Sequence, residues 1–498
     1  MRAVRRWRHW ADAEDHRPLR TSFVARVALV AVISLAIGAW SAWGIRRHNA
    51  FGTFGFDFGI FDQGVWLLSR FKSPFITIMG VHLFGDHTSF ILLPLVPFYW
   101  LFPSAKVLIV AQAAALSMAA APLFLIAREK LRSEWLALGV AVAFLANPAL
   151  QWEGWEQFHP DVFEVPLALA ALYFMTKRRW GLFLVVVFAL LMVKEDVPLM
   201  TFMLGLYVAR KYNLRVGLLT AFASLLWFAG AVWLILPTLN GEGTLDAWRV
   251  PYGGMGGLIK HTLLRPWDVV ALALEGDKSF YAWQLFASFG LLALLAPTAV
   301  LIAAGPLASN LLSTFWYQYH LQYHYTTLIV AVLAFATVIG LAHIQRFRLR
   351  TLGVGLLLGA SGLTGWMWGP SQYARNPEAL GDASAAHVGP IHHLLAKIPA
   401  GAAVSSHYSF VTHLDHRDEI YEFPVPWYSQ NWGDGRRNGA LLPQSRHVDY
   451  IVIVESVLND RDRGILRGLE ESQFERIGQT GDIVLLKRSA PAPRLGTP

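Results

Sequence analysis

Residues 23–43, FVARVALVAVISLAIGAWSAW, form an apolar run broken by one charge, Arg26. A helix needs about 20 such residues to cross the hydrocarbon core of a bilayer. The stretch before it is rich in Arg, which sets the N-terminus in the cytoplasm. No small-residue cleavage site follows, so the run reads as an anchor and not as a removed signal peptide. Comparable runs recur at 104–127, 135–150, 162–176, 180–193, 197–209, 216–236, 326–343 and 351–368, with two more inside 281–315 separated near Pro297. The expected fold is a polytopic α-helical membrane protein of about eleven spans.

Composition supports this. Hydrophobic residues make up 55% of the chain and charged residues 15%, against about 45–50% and 25% in soluble domains. That excess excludes an ordinary soluble domain and disorder for most of the length. The net charge of +8 does not point to nucleic acid, because the basic residues come in bursts between apolar runs, as in positive-inside loops. There is no cysteine, which excludes disulfides, thiolate metal sites and cysteine nucleophiles.

The segment GDHTSFILLPLVPFYWLFP is short, contains Pro94, Pro97 and Pro103, and carries aromatics suited to an interface. It is expected to lie on the outer surface without crossing. The basic clusters at 128–132, 177–179, 210–215 and 346–350 then all fall inside, and the acidic and His-rich clusters outside. If the segment crossed, that sorting would invert. Residues 237–280 read as a long polar loop, with 253–257 a flexible glycine-rich stretch.

From residue 371 the pattern changes to short strands: AAVSSH, EIYEF and VDYIVIVES, with SFVTHL a helix and a hairpin around Gln479, Thr480 and Gly481. The expected organisation is a basic cytoplasmic N-terminus (1–22), a transmembrane domain with outer loops (23–370), an extracytoplasmic α/β domain (371–487) and a disordered tail (488–498).

Several outer clusters carry chemistry. Asp57 and Asp62, with Gln63, lie among Phe and Gly directly after the first span. Carboxylates there are costly unless paired or solvated. Asp57 reads as a catalytic carboxylate. Asp62 is either functional or the cap of a helix starting at Gln63. Asp86 and His87 can orient a substrate, bind a metal or cap the next helix, while His82 reads as loop structure. Glu153, Glu156, His159 and Asp161 alternate with Trp152, Trp155 and Phe158. Such mixtures line sugar sites, and they also form interfacial aromatic belts. Lys194, Glu195 and Asp196 meet at the outer end of a span. His320 and His324 are an i, i+4 pair if helical, a spacing that can hold a metal, although the interleaved tyrosines favour a hydrogen-bonding or phosphate-contacting surface. Arg249, Lys260, His261 and Arg265 are suited to an anionic headgroup. There is no Walker loop, dinucleotide fingerprint or HExxH motif. No cofactor is expected, and no motif calls for a divalent metal.

The stretches FDFGIFDQGVW, GDHTSFILLPLVPFYWLFP, NPALQWEGWEQFHPDVFEVPLALAALYF and LMVKEDVPL, followed by IPAGAAVSSHYSFVTHLDHRDEIYEFP and VDYIVIV, resemble the bacterial membrane proteins grouped as domain of unknown function 2079. The layout is similar to the GT-C superfamily of membrane glycosyltransferases: an acidic first outer loop, a surface helix before the second span and a polar cluster after the third. The Asp-Glu pair typical of the mannosyltransferases in that superfamily is absent.

The resemblance implies an inverting transferase on the outer face of a bacterial plasma membrane. It would use a polyprenyl-phosphate sugar donor and an envelope glycan, lipid or protein acceptor, with Asp57 as general base and Lys194, Arg249 or His324 at the leaving phosphate. The rival readings are a transporter or flippase, which would place charges midway along the spans, and a non-catalytic envelope scaffold. Membrane lipids are the other expected partners.

Overall fold

The computed structural model describes residues 18–241, 247–433 and 438–489. The basic N-terminus is described only from residue 18, and the expected tail only to residue 489. Four helices are long and apolar enough to cross a membrane: Phe23–Asn49, Lys106–Leu131, Leu214–Asn240 and His324–His343. A fifth candidate is the pair Glu134–Leu145 and Pro148–Trp155, bent by 52°. The bend falls at Asn147–Pro148, where proline cannot continue the preceding helix's hydrogen bonding. Other apolar segments form shorter helices, among them Trp180–Leu191 and Pro297–Leu312, so these criteria alone do not single out eleven crossings.

Burial separates the helices into a centre and a rim. His324–His343 is 83% buried, whereas Phe23–Asn49 and Leu214–Asn240 are 17% and 22% buried. The rim helices expose Val27, Val30, Leu35, Leu218, Phe222, Leu225 and Trp233, a surface that only lipid or another apolar layer can cover. Pro198–Lys211 and Leu214–Gly230 pack backbone to backbone: a Cβ on Gly205 would strike Ala221, and one on Gly217 would strike Ala209. Thr201 and Ser224 hydroxyls meet at 2.7 Å in that seam. Small residues allow such approach where lipid tails supply no hydrophobic drive.

The basic clusters gather at one end of the bundle. Arg128 and Arg26 reach the buried Glu134 at 2.7 and 3.4 Å, Lys177 reaches Glu129 at 2.5 Å, and buried Arg350 donates to the carbonyls of Leu131 and Ile344. The acidic and histidine clusters lie at the other ends of the same helices.

Phe90–Leu101 is a 3-10 segment running into a short helix, with Phe98, Trp100 and Leu101 exposed. Residues 237–280 differ from the polar loop expected. They contain helices Met255–Leu264 and Pro266–Leu274, the first beginning inside the glycine stretch. Met255, Ile259, Leu263, Trp267, Val270 and Leu274 recur at helical spacing and are exposed. Lys260 and Arg265 interrupt the hydropathy without interrupting that period.

A hairpin of β1 (Phe75–Ile76) and β2 (Val81–His82) closes the first loop. His82, expected in a loop, ends β2, and its ring accepts from the Phe84 amide. The C-terminal sheet has the order β4-β3-β5-β7-β6, with β3 Val404–Ser406, β4 Ile420–Glu422, β5 Tyr450–Val454, β6 Phe474–Thr480 and β7 Ile483–Arg488. The first three strands are parallel, and β6–β7 is an antiparallel hairpin turning at Gly481, whose φ is 58°. Alternate strand residues face opposite sides. Val404, Ile420, Val452 and Leu485 therefore join an apolar core continuous with the bundle, while Ile451, Ile453, Val484 and Leu486 pack on Leu466 and Leu469 in a separate core.

Candidate functional site

The first helix ends at Asn49, and the chain turns through Gly55–Gly59 before helix Ile60–Ser69. Asp57 sits in that turn with φ 66° and ψ −85°. A non-glycine residue there is strained by about 1–3 kcal/mol, and such residues collect at functional sites. The turn is held from the C-terminal domain: a Glu422 carboxylate oxygen accepts from the Phe56 amide at 2.8 Å. Gly55 permits this approach, because a Cβ there would meet the Glu422 carboxylate and the Val411 side chain.

The Asp57 side chain is 46% exposed and its Oδ1 lies 3.5 Å from His159 Nε2. Burial pushes the Asp57 carboxyl up, but the charge of His159, with Lys194 and His87 further off, outweighs this and leaves it below its ordinary value. For His159, burial acts downward and Asp57 upward, with Asp161 and Glu153 adding to Asp57; the imidazole ends at about 9 and is protonated at neutral pH. Its Nδ1–H donates to the Gln157 carbonyl at 2.9 Å, which fixes the ring and turns Nε2 toward Asp57.

His159 stacks on His324 at 3.8 Å between centroids. Next to His324 in sequence, Tyr325 gathers three nitrogen groups: Lys194 Nζ over its ring at 5.4 Å, the His324 ring at 4.1 Å, and Arg249, which donates to its hydroxyl at 3.1 Å. Lys194 Nζ also contacts Asp161 Oδ1 at 3.1 Å, each side chain only 5% exposed. Burial alone would lower the Lys194 ammonium, but Asp161 and Asp196 hold it well above its usual value. Asp196 is pushed up, first by burial and then by Asp161 against the pull of Lys194. Asp161, Glu164 and Asp196 enclose a cavity of about 10 Å³, room for no more than about one water.

His87 Nδ1 and Glu195 Oε1 are 2.7 Å apart, and the Thr88 amide donates to the other Glu195 oxygen at 3.1 Å. Burial lowers His87, but Glu195 and Asp86 hold it at about 10; burial raises Glu195, but His87 holds it at about 2. The raised His87 stabilises the fold fully below its ordinary value of 6.5 and loses this as pH rises through about 10. The depressed Glu195 stabilises it above 4.5 and loses this as pH falls through about 2. The pair is therefore expected to contribute most between pH 4.5 and 6.5. His87→Gln should lower the wild-type unfolding midpoint there and converge on it toward pH 10, as read by unfolding curves across pH.

Asp57, Asp86, His87, Glu156, His159, Asp161, Lys194, Glu195, Asp196, Arg249 and His324 thus fall in one chain of charge contacts at one end of the bundle. Three expectations change. Asp62 does not cap a helix at Gln63. It lies inside Ile60–Ser69, fully buried, and with Gln63 it faces the C-terminal domain: Tyr99 donates to Asp62 at 2.5 Å, His416 Nε2 sits 3.1 Å from it, and the Gln63 amide donates to Thr77 at 2.9 Å and to the Arg417 carbonyl at 3.3 Å.

Asp86 ends the short helix Leu83–Asp86, and the N-cap position of the next helical segment, which starts at Phe90, is Ser89. His320 and His324 do not share one helix face, because the turn at 321–323 leaves no continuous helix between them. His320 packs on Trp316 and Tyr323 instead. Ring packing among Trp316, Tyr317 and Tyr323 outweighs the weak helix preference of this aromatic run. Sequence reading assigned no role to Tyr325 or Glu422. For Tyr325 the alternation of His and Tyr in YQYHLQYHYTT was the available signal; for Glu422 there was none.

The profile of a family described as "Predicted membrane protein (DUF2079)" matches residues 47–476. No curated protein matches the sequence. Two solved structures of ArnT from Cupriavidus metallidurans, one bound to undecaprenyl phosphate and one in the apo state, are similar, each with a TM-score of 0.55. They are 12% and 11% identical, covering 95% and 93% of this chain and 100% and 98% of theirs. The chain shares their fold.

Proposed function

This chain belongs to the DUF2079 family, and we propose that it is an inverting membrane glycosyltransferase on the outer face of a bacterial plasma membrane, taking a sugar from a polyprenyl-phosphate donor to an envelope acceptor. The observation that carries the reading is Asp57, on a strained turn at the acidic end of the bundle, facing His159 and beside Lys194, His324 and Arg249 gathered on Tyr325. The fold shared with ArnT, one structure of which holds undecaprenyl phosphate, supports the donor class.

In the proposed step the acceptor oxygen attacks the anomeric carbon, the bond from that carbon to the phosphate oxygen breaks, and Asp57 takes the hydroxyl proton. A carboxylate held below its ordinary range is a weak base toward a free alcohol. It accepts the proton late, as the new C–O bond makes that proton acidic. The leaving polyprenyl phosphate gathers charge beside Lys194 and Arg249, fixed cations that favour the transition state over the ground state, with the His324 imidazole alongside. His159 is a positioning residue that holds Asp57. The C-terminal domain, taken as 371–487, would contribute acceptor contacts. A cleft of about 370 Å³ lies between it and the first loop, lined by Lys72, Phe75, Asp418, Tyr421, Trp432 and His447 among others.

The test is the full chain in lipid nanodiscs with a panel of undecaprenyl-phosphate sugars and an envelope extract as acceptor source. Release of undecaprenyl phosphate coupled to sugar transfer is expected. Translocation of the intact lipid-linked sugar in proteoliposomes, without cleavage, would favour the flippase reading.

The proposal includes about eleven crossings, the N-terminus inside and the C-terminal domain outside. Reporter fusions after Arg132 and after Asp161 are expected to mark opposite sides, because a span separates the basic from the acidic end. The same side for both would refute this topology.

A further inference from the structure

A second cluster of ligating side chains lies outside the site around Asp57. Asp62 comes from helix Ile60–Ser69, and Asp415 and His416 from the segment joining the short helix Tyr408–Val411 to β4. One ligand atom from each of the three lies within 4.8 Å of the others. Asp62 is 0% and Asp415 1% exposed, and the Oδ2 atom of each is buried without a hydrogen-bond donor. Two carboxylates removed from water and facing one another are costly unless a positive charge joins them. Arg417 is close, but its guanidinium is occupied by the carbonyls of Leu414, Ala402 and Pro399.

We propose that Asp62, Asp415 and His416 bind a divalent first-row cation, zinc above manganese, that fastens the C-terminal domain to the first outer loop. His416 Nε2 lies 3.1 Å from Asp62 Oδ1, close to the edge of about 3.3 Å between ligands of a tetrahedral zinc with bonds of about 2.0–2.1 Å. The competing arrangement is one proton shared between the two acids, with His416 Nε2 hydrogen-bonded to Asp62 Oδ1 alone. A cation takes all three donors at once, with water as a fourth ligand. The supporting shell is present. The Tyr99 hydroxyl donates to Asp62 Oδ1 at 2.5 Å and fixes the carboxylate, while the His416 ring stacks on Trp66 at 5.8 Å with planes 16° apart. Two oxygens and one imidazole nitrogen rank zinc above manganese in affinity.

The site is independent of the transferase reading and is tested without an activity assay. The full chain, purified in detergent, is stripped with chelator, incubated with zinc chloride or manganese chloride, dialysed against metal-free buffer and analysed for metal. About one zinc per chain is expected, with less manganese retained. X-ray absorption at the zinc edge should show oxygen and nitrogen neighbours including one imidazole. Asp415→Asn and His416→Gln should each weaken zinc binding by more than the 10–100-fold typical of losing a second-shell partner, while His87→Gln should leave it unchanged. No zinc in the wild type, a zinc environment with several imidazoles, or zinc lost on His87→Gln and kept in the other two variants would overturn the assignment.

Discussion

Asp57→Asn is expected to lower turnover of a polyprenyl-phosphate sugar by at least about 100-fold, the low end for loss of a general base. The amide keeps the size of the side chain and a hydrogen-bonding group in the turn, but it cannot take a proton from the acceptor. Donor binding should largely survive, because the proposed phosphate contacts come from Lys194, Arg249 and His324 and not from Asp57. The outcome to measure is therefore a fall in kcat with little change in donor KM. Full turnover by Asp57→Asn would remove Asp57 from the chemistry.

His159→Gln gives a companion reading. Without the imidazolium, burial acts on Asp57 unopposed by its nearest cation, so its pKa should rise. The acid limb of the pH–rate profile should then move to higher pH. A purely structural histidine would lower the rate without moving that limb.

Lys194→Met should have the largest effect on stability. It removes the cation that Asp161 contacts at 3.1 Å, in a pair whose side chains are each 5% exposed, and that also offsets Asp196. Breaking a buried pair from one side costs about 3–5 kcal/mol, because the remaining charge stays buried without compensation. The check is a denaturant unfolding curve in mixed micelles. Adding Asp161→Asn to Lys194→Met should recover a good part of the loss, since the stranded charge goes too. A single variant as stable as wild type would mean that water or another group compensates Asp161.

The residues around Asp57 show how far sequence reading reaches. Asp57, His159, Asp161 and Lys194 were legible because each follows or precedes an apolar run, and helices of similar length bring such ends to one level. For Asp62, read as either functional or a helix cap, the cap reading failed and the partners could not be foreseen. It shares the loop and the chemistry of Asp57, but its partner His416 lies 354 residues away, and nothing local signals a contact across that distance. Glu422 is another case, an ordinary acid at the end of β4 until the domain docks and it takes the Phe56 amide. The i, i+4 reading of His320 and His324 failed because spacing describes a helix only where the backbone is one. Here aromatic packing broke it and turned His324 onto His159.

Transfer from water to lipid depends on composition over about 20 residues, so the apolar runs, and the sorting of basic from acidic ends, were determined by the sequence alone. The same holds for the strands of the C-terminal sheet, where an apolar run such as Tyr450–Val454 has to be buried on both faces. Which carboxylate meets which histidine is a matter of side-chain direction to within an ångström and of contacts between segments far apart in the chain. Only the tertiary structure decided that Asp57 belongs with His159, that Asp62 belongs with Asp415 and His416, and that the C-terminal domain supplies part of both clusters.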